Sequence, residues 1–184
     1  MIRHVIGGIN RLRSDLIQWI SGNLIPAGNL PTGVLVKRTI ATPYTSNTNI
    51  AGTIPNDDTT PLDSEGTEIL SVAHTMLNTT NRLVIRFSGF CATGAASETM
   101  IAAFFSSTAT IALNSASVTS TSANSMNPIS LEHEYSPGVT TSITFAIRTG
   151  AESAGGPIRY NGTATGRKFG GVAAAQLVIE ELKA

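Results

Sequence analysis

Residues whose types could do chemistry are few in this sequence, and they are scattered. Histidine occurs three times, at His4, His74 and His133, each without a second metal-ligating residue type at a recognisable spacing. In "SLEHEY" the carboxylates Glu132 and Glu134 fall on one face of an extended segment and His133 on the other, which is strand alternation and not a site. Cys91 is the only cysteine, so neither an intrachain disulfide nor a cysteine-based zinc site can form. Its neighbours Phe90 and Ala92 supply no activating charge, and a buried structural thiol is expected. There is no Gly-x-Ser-x-Gly elbow and no dinucleotide fingerprint. The glycines of "GAESAGG" and "ATGRKFGG" stand among strands, with no helix N-terminus behind them to hold a phosphate. The densest acidic stretch, "NDDTTPLDSEGTE", offers Asp57, Asp58, Asp63, Glu65 and Glu68. Oxygen ligands of this kind bind calcium, but the stretch lacks the Asp-x-Asp-x-Asp-Gly order. A solvated loop, or one whose carboxylates meet Arg side chains across a subunit boundary, is the favoured reading. Carboxylate pairs also serve glycoside hydrolysis, yet aromatic residues make up only 5% of the chain and leave little for sugar platforms. Tyr160, Arg167, Lys168 and Phe169 form the candidate sugar-contacting patch, set against the alternative of a turn beside a core aromatic. No catalytic residue, metal or cofactor is assigned, and the chain is expected not to be an enzyme.

These residues must be positioned by elements that composition already constrains. The chain has 184 residues, enough to bury a core as one domain with a short appendage. Twelve basic and twelve acidic residues balance to zero, and charged residues are only 13%, so no basic stripe points to nucleic acid. Ser and Thr account for roughly a quarter of the residues, which suits β-rich surfaces and turns. Neither an uninterrupted apolar signal core nor a membrane span is read; "MIRHVIGGINRLRSDL" is broken by Arg11, Arg13 and Asp15. Synthesis or assembly in a reducing cytoplasm is expected.

Residues 1–22 differ from the rest. Ile2, Val5, Ile9, Leu12, Leu16 and Trp19 recur at spacings of three and four, a short heptad stripe weakened at its start by Gly7 and Gly8. An amphipathic helix of this length is marginal alone in water and must bury its stripe. It packs on its own β-domain, forms a parallel bundle between copies, or docks as a peg in a larger assembly. Residues 23–33 form a Gly- and Pro-rich linker, and 34–184 read as the β-domain. Strands are expected near 34–41, 68–74, 82–90, 99–105, 129–135, 142–148, 158–160 and 176–182, with weaker candidates at 50–54 and 110–113. The last of them, "QLVIEEL", places Leu177 and Ile179 on one face and Gln176, Val178 and Glu180 on the other, so the end of the chain is expected to be tied into a sheet. The low-complexity run "SSTATIALNSASVTSTSANS" reads as a β-rich connection with a long loop. Many short strands separated by turn signals, without helices between them, indicate an antiparallel β-sandwich or jelly roll with a short N-terminal helix.

The order "TIPNDDTTPLDSEGTEILSVAHTMLNTTNRLVIRFSGF", "AAFFSSTATIAL", "SITFAIRTGAES" and "YNGTATGRKFGGVAAAQLVIEEL" resembles the β-domain of fibre and receptor-binding proteins of tailed bacteriophages. The matching features are Asp57-Asp58 with Glu65-Gly66, Ala103-Phe104-Phe105, and Gly170-Gly171 followed by Ile179-Glu180-Glu181-Leu182. The match covers about residues 40–184, with the N-terminal helix outside it. The resemblance implies a homotrimeric jelly-roll knob in a virion, attached by its N-terminal segment to other virion proteins; host-surface glycan or protein is the expected further partner, and from charge and hydropathy neither nucleic acid nor membrane insertion is expected. Alternatives are a head or baseplate decoration protein that recognises no host, and a free carbohydrate-binding or hydrolytic domain.

Overall fold

The computed structural model describes residues 30–154 and 156–184, so the expected N-terminal helix and its stripe of Ile2, Val5, Ile9, Leu12, Leu16 and Trp19 lie outside the described residues. The named strands of the described residues all pair antiparallel, and the one helical element among them is a short 3-10 turn at Phe169–Gly171. The strands are β1 (Leu35–Ile40), β2 (Thr67–Thr75), β3 (Arg82–Thr93), β4 (Thr99–Ser106), β5 (Asn114–Thr119), β6 (Asn127–Tyr135), β7 (Ser142–Ala151), β8 (Ile158–Tyr160), β9 (Gly162–Thr163), β10 (Gly166–Arg167) and β11 (Gln176–Leu182).

Two sheets carry the fold. One has the order β1-β11-β3-β6, with β8 pairing the far end of β3; the other has the order β2-β7-β4-β5. Among the eight long strands the first pairs with the last, the second with the seventh, the third with the sixth and the fourth with the fifth. That nesting is a long antiparallel hairpin folded over into two sheets, the strand order of a jelly roll. The core follows from alternation: β11 turns Leu177 and Ile179 inward, opposite Phe87 and Ile85 of β3. Phe104, Phe145, Ile147 and Met100 meet them from the second sheet.

Strand β4 is buried along its whole length, on both faces. Met100, Ala102 and Phe104 enter the core, while Ile101, Ala103 and Phe105 form a second cluster with Ile54 and Ala112. The cover is the long connection between β1 and β2, pinned by Ile54 N–H to Ala151 O at 3.0 Å and by Ala112 N–H to Pro61 O at 2.9 Å. Gly150 makes this possible: a Cβ there would sit 2.7 Å from Gly52 O and 2.8 Å from Ile54 N. The expected strands at 50–54 and 110–113 reduce to isolated bridges within this cover, Ile50 to Ile158, Thr53 to Ala151 and Leu62 to Ile111.

The registers sort the connections into two groups. Leu182 lies opposite Leu35 and Arg82, and Tyr135 opposite Leu83. One end of the roll therefore gathers residues 30–34, 76–81, 107–113 and 136–141 with the final two residues. Gly33 N–H bonds Lys183 O at 2.8 Å there. The opposite end gathers residues 41–49, 94–98, 120–126 and 161–175. Both ends of the described chain thus leave from the same end of the roll, away from the 161–175 connection.

Candidate functional site

Three places in the described structure concentrate polar side chains. The first lies inside the roll. Glu181, on β11, points inward and is fully buried, together with His74 of β2. One carboxylate oxygen faces His74 Nε2 at 3.3 Å; the other accepts from Asn81 Nδ2 at 2.6 Å and Leu77 N–H at 2.8 Å. A neutral imidazole donating through Nε2 leaves Nδ1 to accept from the Thr39 hydroxyl, 2.8 Å away. The hydroxyl, imidazole and carboxylate have the composition of a nucleophilic relay. Their connections are those of a tie-rod: the carboxylate's oxygens are spent on the 76–81 turn and on β2, and the imidazole is sealed from solvent. Burial lowers the His74 pKa below its usual value, the hydrogen bond to Glu181 opposes that, and the nearby Lys37 ammonium adds to the lowering.

The second place is the outer face of the β1-β11-β3-β6 sheet, a shallow depression of about 360 Å³ lined by Arg38, Arg86, Glu132 and Glu180 among others. Its charges neutralise one another across four strands. Arg38 meets Glu180 at 3.7 Å, Arg86 bonds Glu180 and also Glu132 at 2.6 Å, and Arg82 meets Glu134 at 3.2 Å. The register dictates this ladder, since Arg86 stands directly opposite Glu132 and Arg38 opposite Glu180. Exposed pairs of this kind contribute roughly 0–1 kcal/mol each.

The third place is the 161–175 connection at the end away from the termini. Asn161 roots it with a left-handed backbone (φ 62°) and an amide that donates to Tyr44 O at 2.7 Å and Ser46 O at 3.2 Å. Lys168 N–H returns to Asn161 O at 3.0 Å. Arg167 braces the tip, its guanidinium donating to Gly171 O at 2.9 Å. Phe169, Gly170 and Gly171 then follow one another at φ 53°, 62° and 84°, and the Phe169 side chain is presented to solvent at 68% exposure, next to Val172 at 85%. A non-glycine aromatic in the left-handed region is costly and is seldom kept without a reason.

The sequence candidates separate on these observations. Arg167, Lys168 and Phe169 come together at the exposed tip. Tyr160 does not: it alternates inward with Ile158 on β8, is fully buried, and lies edge-on to Tyr44 and Phe87 with ring centroids 6.2 and 6.1 Å away. Its hydroxyl sits 3.1 Å from Thr149 Oγ1, and burial raises its pKa. Tyr160 is a core residue and not a surface-binding one. Cys91 is buried as expected, its thiol pKa pushed up to about 12 by burial, and it is correspondingly unreactive. The acidic stretch is a loop up to Gly66, in which the Asp57 carboxylate caps Thr59 N–H at 2.8 Å and Glu65 accepts from Leu62 N–H at 2.9 Å, and Glu68 stands on β2. Among the described residues no three His, Cys, Asp or Glu side chains gather to hold a metal ion. Sequence reasoning gave no site role to Glu181 or Asn161, although Asn161-Gly162 reads as a turn signal. Glu181 continues the inward parity of Leu177 and Ile179, and Asn161 opens an Asn-Gly pair, a known left-handed signal.

The sequence matches no known protein family and no curated protein. Solved structures show remote likeness. The C-terminal domain of EclA, a sugar-binding protein, is 16% identical with a TM-score of 0.33, over 73% of this chain and 82% of that one. Eiger TNF from S. frugiperda is 10% identical with a TM-score of 0.43, over 80% and 94%. The infectious bursal disease virus Gx strain structure is 10% identical with a TM-score of 0.39, over 81% of this chain and 37% of that one. Likenesses this remote leave the class of the molecule to its own strand order, that of a jelly-roll-like β-domain.

Proposed function

We propose that this chain is a non-enzymatic virion protein of the fibre-knob type, a homotrimer held to the particle by its N-terminal segment and presenting the opposite end of the β-roll for binding. The observation that carries this reading is the polarity of the roll. Leu30 and Ala184 lie at one end, while the rooted and braced 161–175 connection, with its solvent-facing Phe169, lies at the other. A fold that leaves from one end can be tethered there and still offer its far loops, which is where binding residues concentrate on rigid β-scaffolds. The polar cluster with the composition of a catalytic relay is sealed and committed to holding strands, which supports a binding role over catalysis.

The experiment is the solution mass of the full chain by light scattering, followed by its adherence to cell surfaces. A mass of about three times 19.2 kDa together with adherence is the expected result. A monomer that adheres to nothing overturns the reading. A trimer that binds purified particles but no cells selects the decoration role on a head or baseplate.

A further inference from the structure

We propose that the tip formed by Arg167, Lys168, Phe169 and Val172 is a binding site for an acidic polysaccharide, one whose sugar residues carry carboxylate or phosphate; this deepens the knob reading and rests on it. Charge is the first support. From Ser153 to Ile179 the sequence contains no Asp or Glu, and that stretch holds the cations Arg159, Arg167 and Lys168 in a chain of zero net charge. The contrast with the ladder on the outer face of β1, β11, β3 and β6 is direct, because Arg38, Arg82 and Arg86 there each meet a carboxylate. Among the described residues neither Lys168 nor Arg159 has an ion-pair partner.

Shape is the second. Lys168 N–H to Asn161 O, Gly171 N–H to Lys168 O and the Arg167 guanidinium to Gly171 O close the tip into one arrangement, so little ordering entropy remains to be lost on binding. The apolar surface offered is one aromatic ring and one valine, too little to anchor in a bilayer, where stable attachment takes larger apolar areas or two signals. It is enough to cover the C–H face of a single sugar ring. The hairpin that leads into the tip is itself closed by polar contacts: Thr163 Oγ1 and Thr165 Oγ1 lie 2.8 Å apart, and Asn124 Oδ1 accepts Ala164 N–H at 2.9 Å. Two cationic residues followed directly by a solvent-facing aromatic offer an anionic sugar a partner for its charge and another for its ring.

The test uses the full chain and three soluble polymers: polygalacturonate, phosphorylated dextran and unmodified dextran. It adds vesicles containing phosphatidylglycerol and two variants, Lys168→Glu and Phe169→Ala. Lys168→Glu alters only an exposed side chain, so its folding is secure even if Phe169→Ala disturbs the tip. The expected result is retention by at least one acidic polymer and none by dextran, about tenfold weaker in either variant and weakened by salt. Equal retention by dextran overturns the anionic ligand class. Retention by vesicles alone overturns the carbohydrate, and retention by none of the acidic probes overturns the proposal. Cell adherence by wild type that both variants keep undiminished overturns this site while leaving the knob reading standing, whereas a chain that adheres to no cell fails that broader reading.

Discussion

At the scale of single residues, Glu181 is where the fold depends most on chemistry. Its carboxylate, fully buried, accepts hydrogen bonds from Asn81, Leu77 N–H and His74. Glu181→Ala leaves those donors without an acceptor or water, and each unsatisfied buried donor costs about 1–3 kcal/mol. A urea unfolding curve checks this; a midpoint unchanged from wild type would show the cluster to be expendable. The same cluster predicts a pH dependence. Burial lowers the His74 pKa, with the Glu181 hydrogen bond opposing and Lys37 of β1 assisting. The unfolded imidazole therefore takes up its proton near the ordinary 6.5 while the folded one resists. Stability conferred by neutral His74 is full above that value, falls as pH falls through it, and levels off below the folded value. Urea midpoints at about pH 7.5 and about pH 5.5, for wild type and His74→Gln, should show a larger acid loss in wild type; equal losses would remove His74 as the source.

At the scale of elements, the cover over β4 is the informative case. Gly150 lies under the backbone of Gly52 and Ile54, with no room for a methyl group. Gly150→Ala must lift the cover off Ile101, Ala103 and Phe105, and overpacking of this kind costs about 1–3 kcal/mol. Thermal unfolding of this variant should show a lowered midpoint, while Gly94→Ala, where a Cβ meets nothing within 4 Å, serves as the tolerant control. Eight strands were legible in the sequence because their apolar residues alternate or run together; the observed limits differ mainly by extension, as in β3 to Thr93 and β7 to Ala151. Strand β5 was read as part of a loop, since Asn114–Thr119 has only Ala116 and Val118 to turn inward and its partner β4 supplies the bulk. The hairpin of β9 and β10 was read as a bare turn because two-residue strands leave no period to detect. Tyr160 failed as a surface residue for a similar reason: nothing local in "IRYNG" says which side of a three-residue strand meets the core.

At the scale of the whole molecule, the nested pairing makes the last strand a central part of the fold. Strand β11 is not at an edge; it lies between β1 and β3, paired to both along nearly its full length. The first strand therefore cannot join its sheet until the last is present, and every sheet contact of β1 spans almost the entire described chain. Such non-local pairing places refolding in the slow range typical of β-sandwiches, from milliseconds to seconds. Removal of residues 176–184 should do more than subtract the burial of Leu177 and Ile179, at about 1.5–3 kcal/mol per side chain. It leaves β1 and β3 with open edges facing each other across a gap one strand wide, and it takes away the Glu181 carboxylate that holds the 76–81 turn. A total stability of about 5–15 kcal/mol does not survive losses of that size. The truncated chain is expected to be insoluble, or to show no cooperative unfolding transition by circular dichroism, because unpaired edges are templates for aggregation. A truncated chain that melts cooperatively near the wild-type temperature would mean that β1 pairs directly with β3, and that the closing role assigned to β11 is wrong.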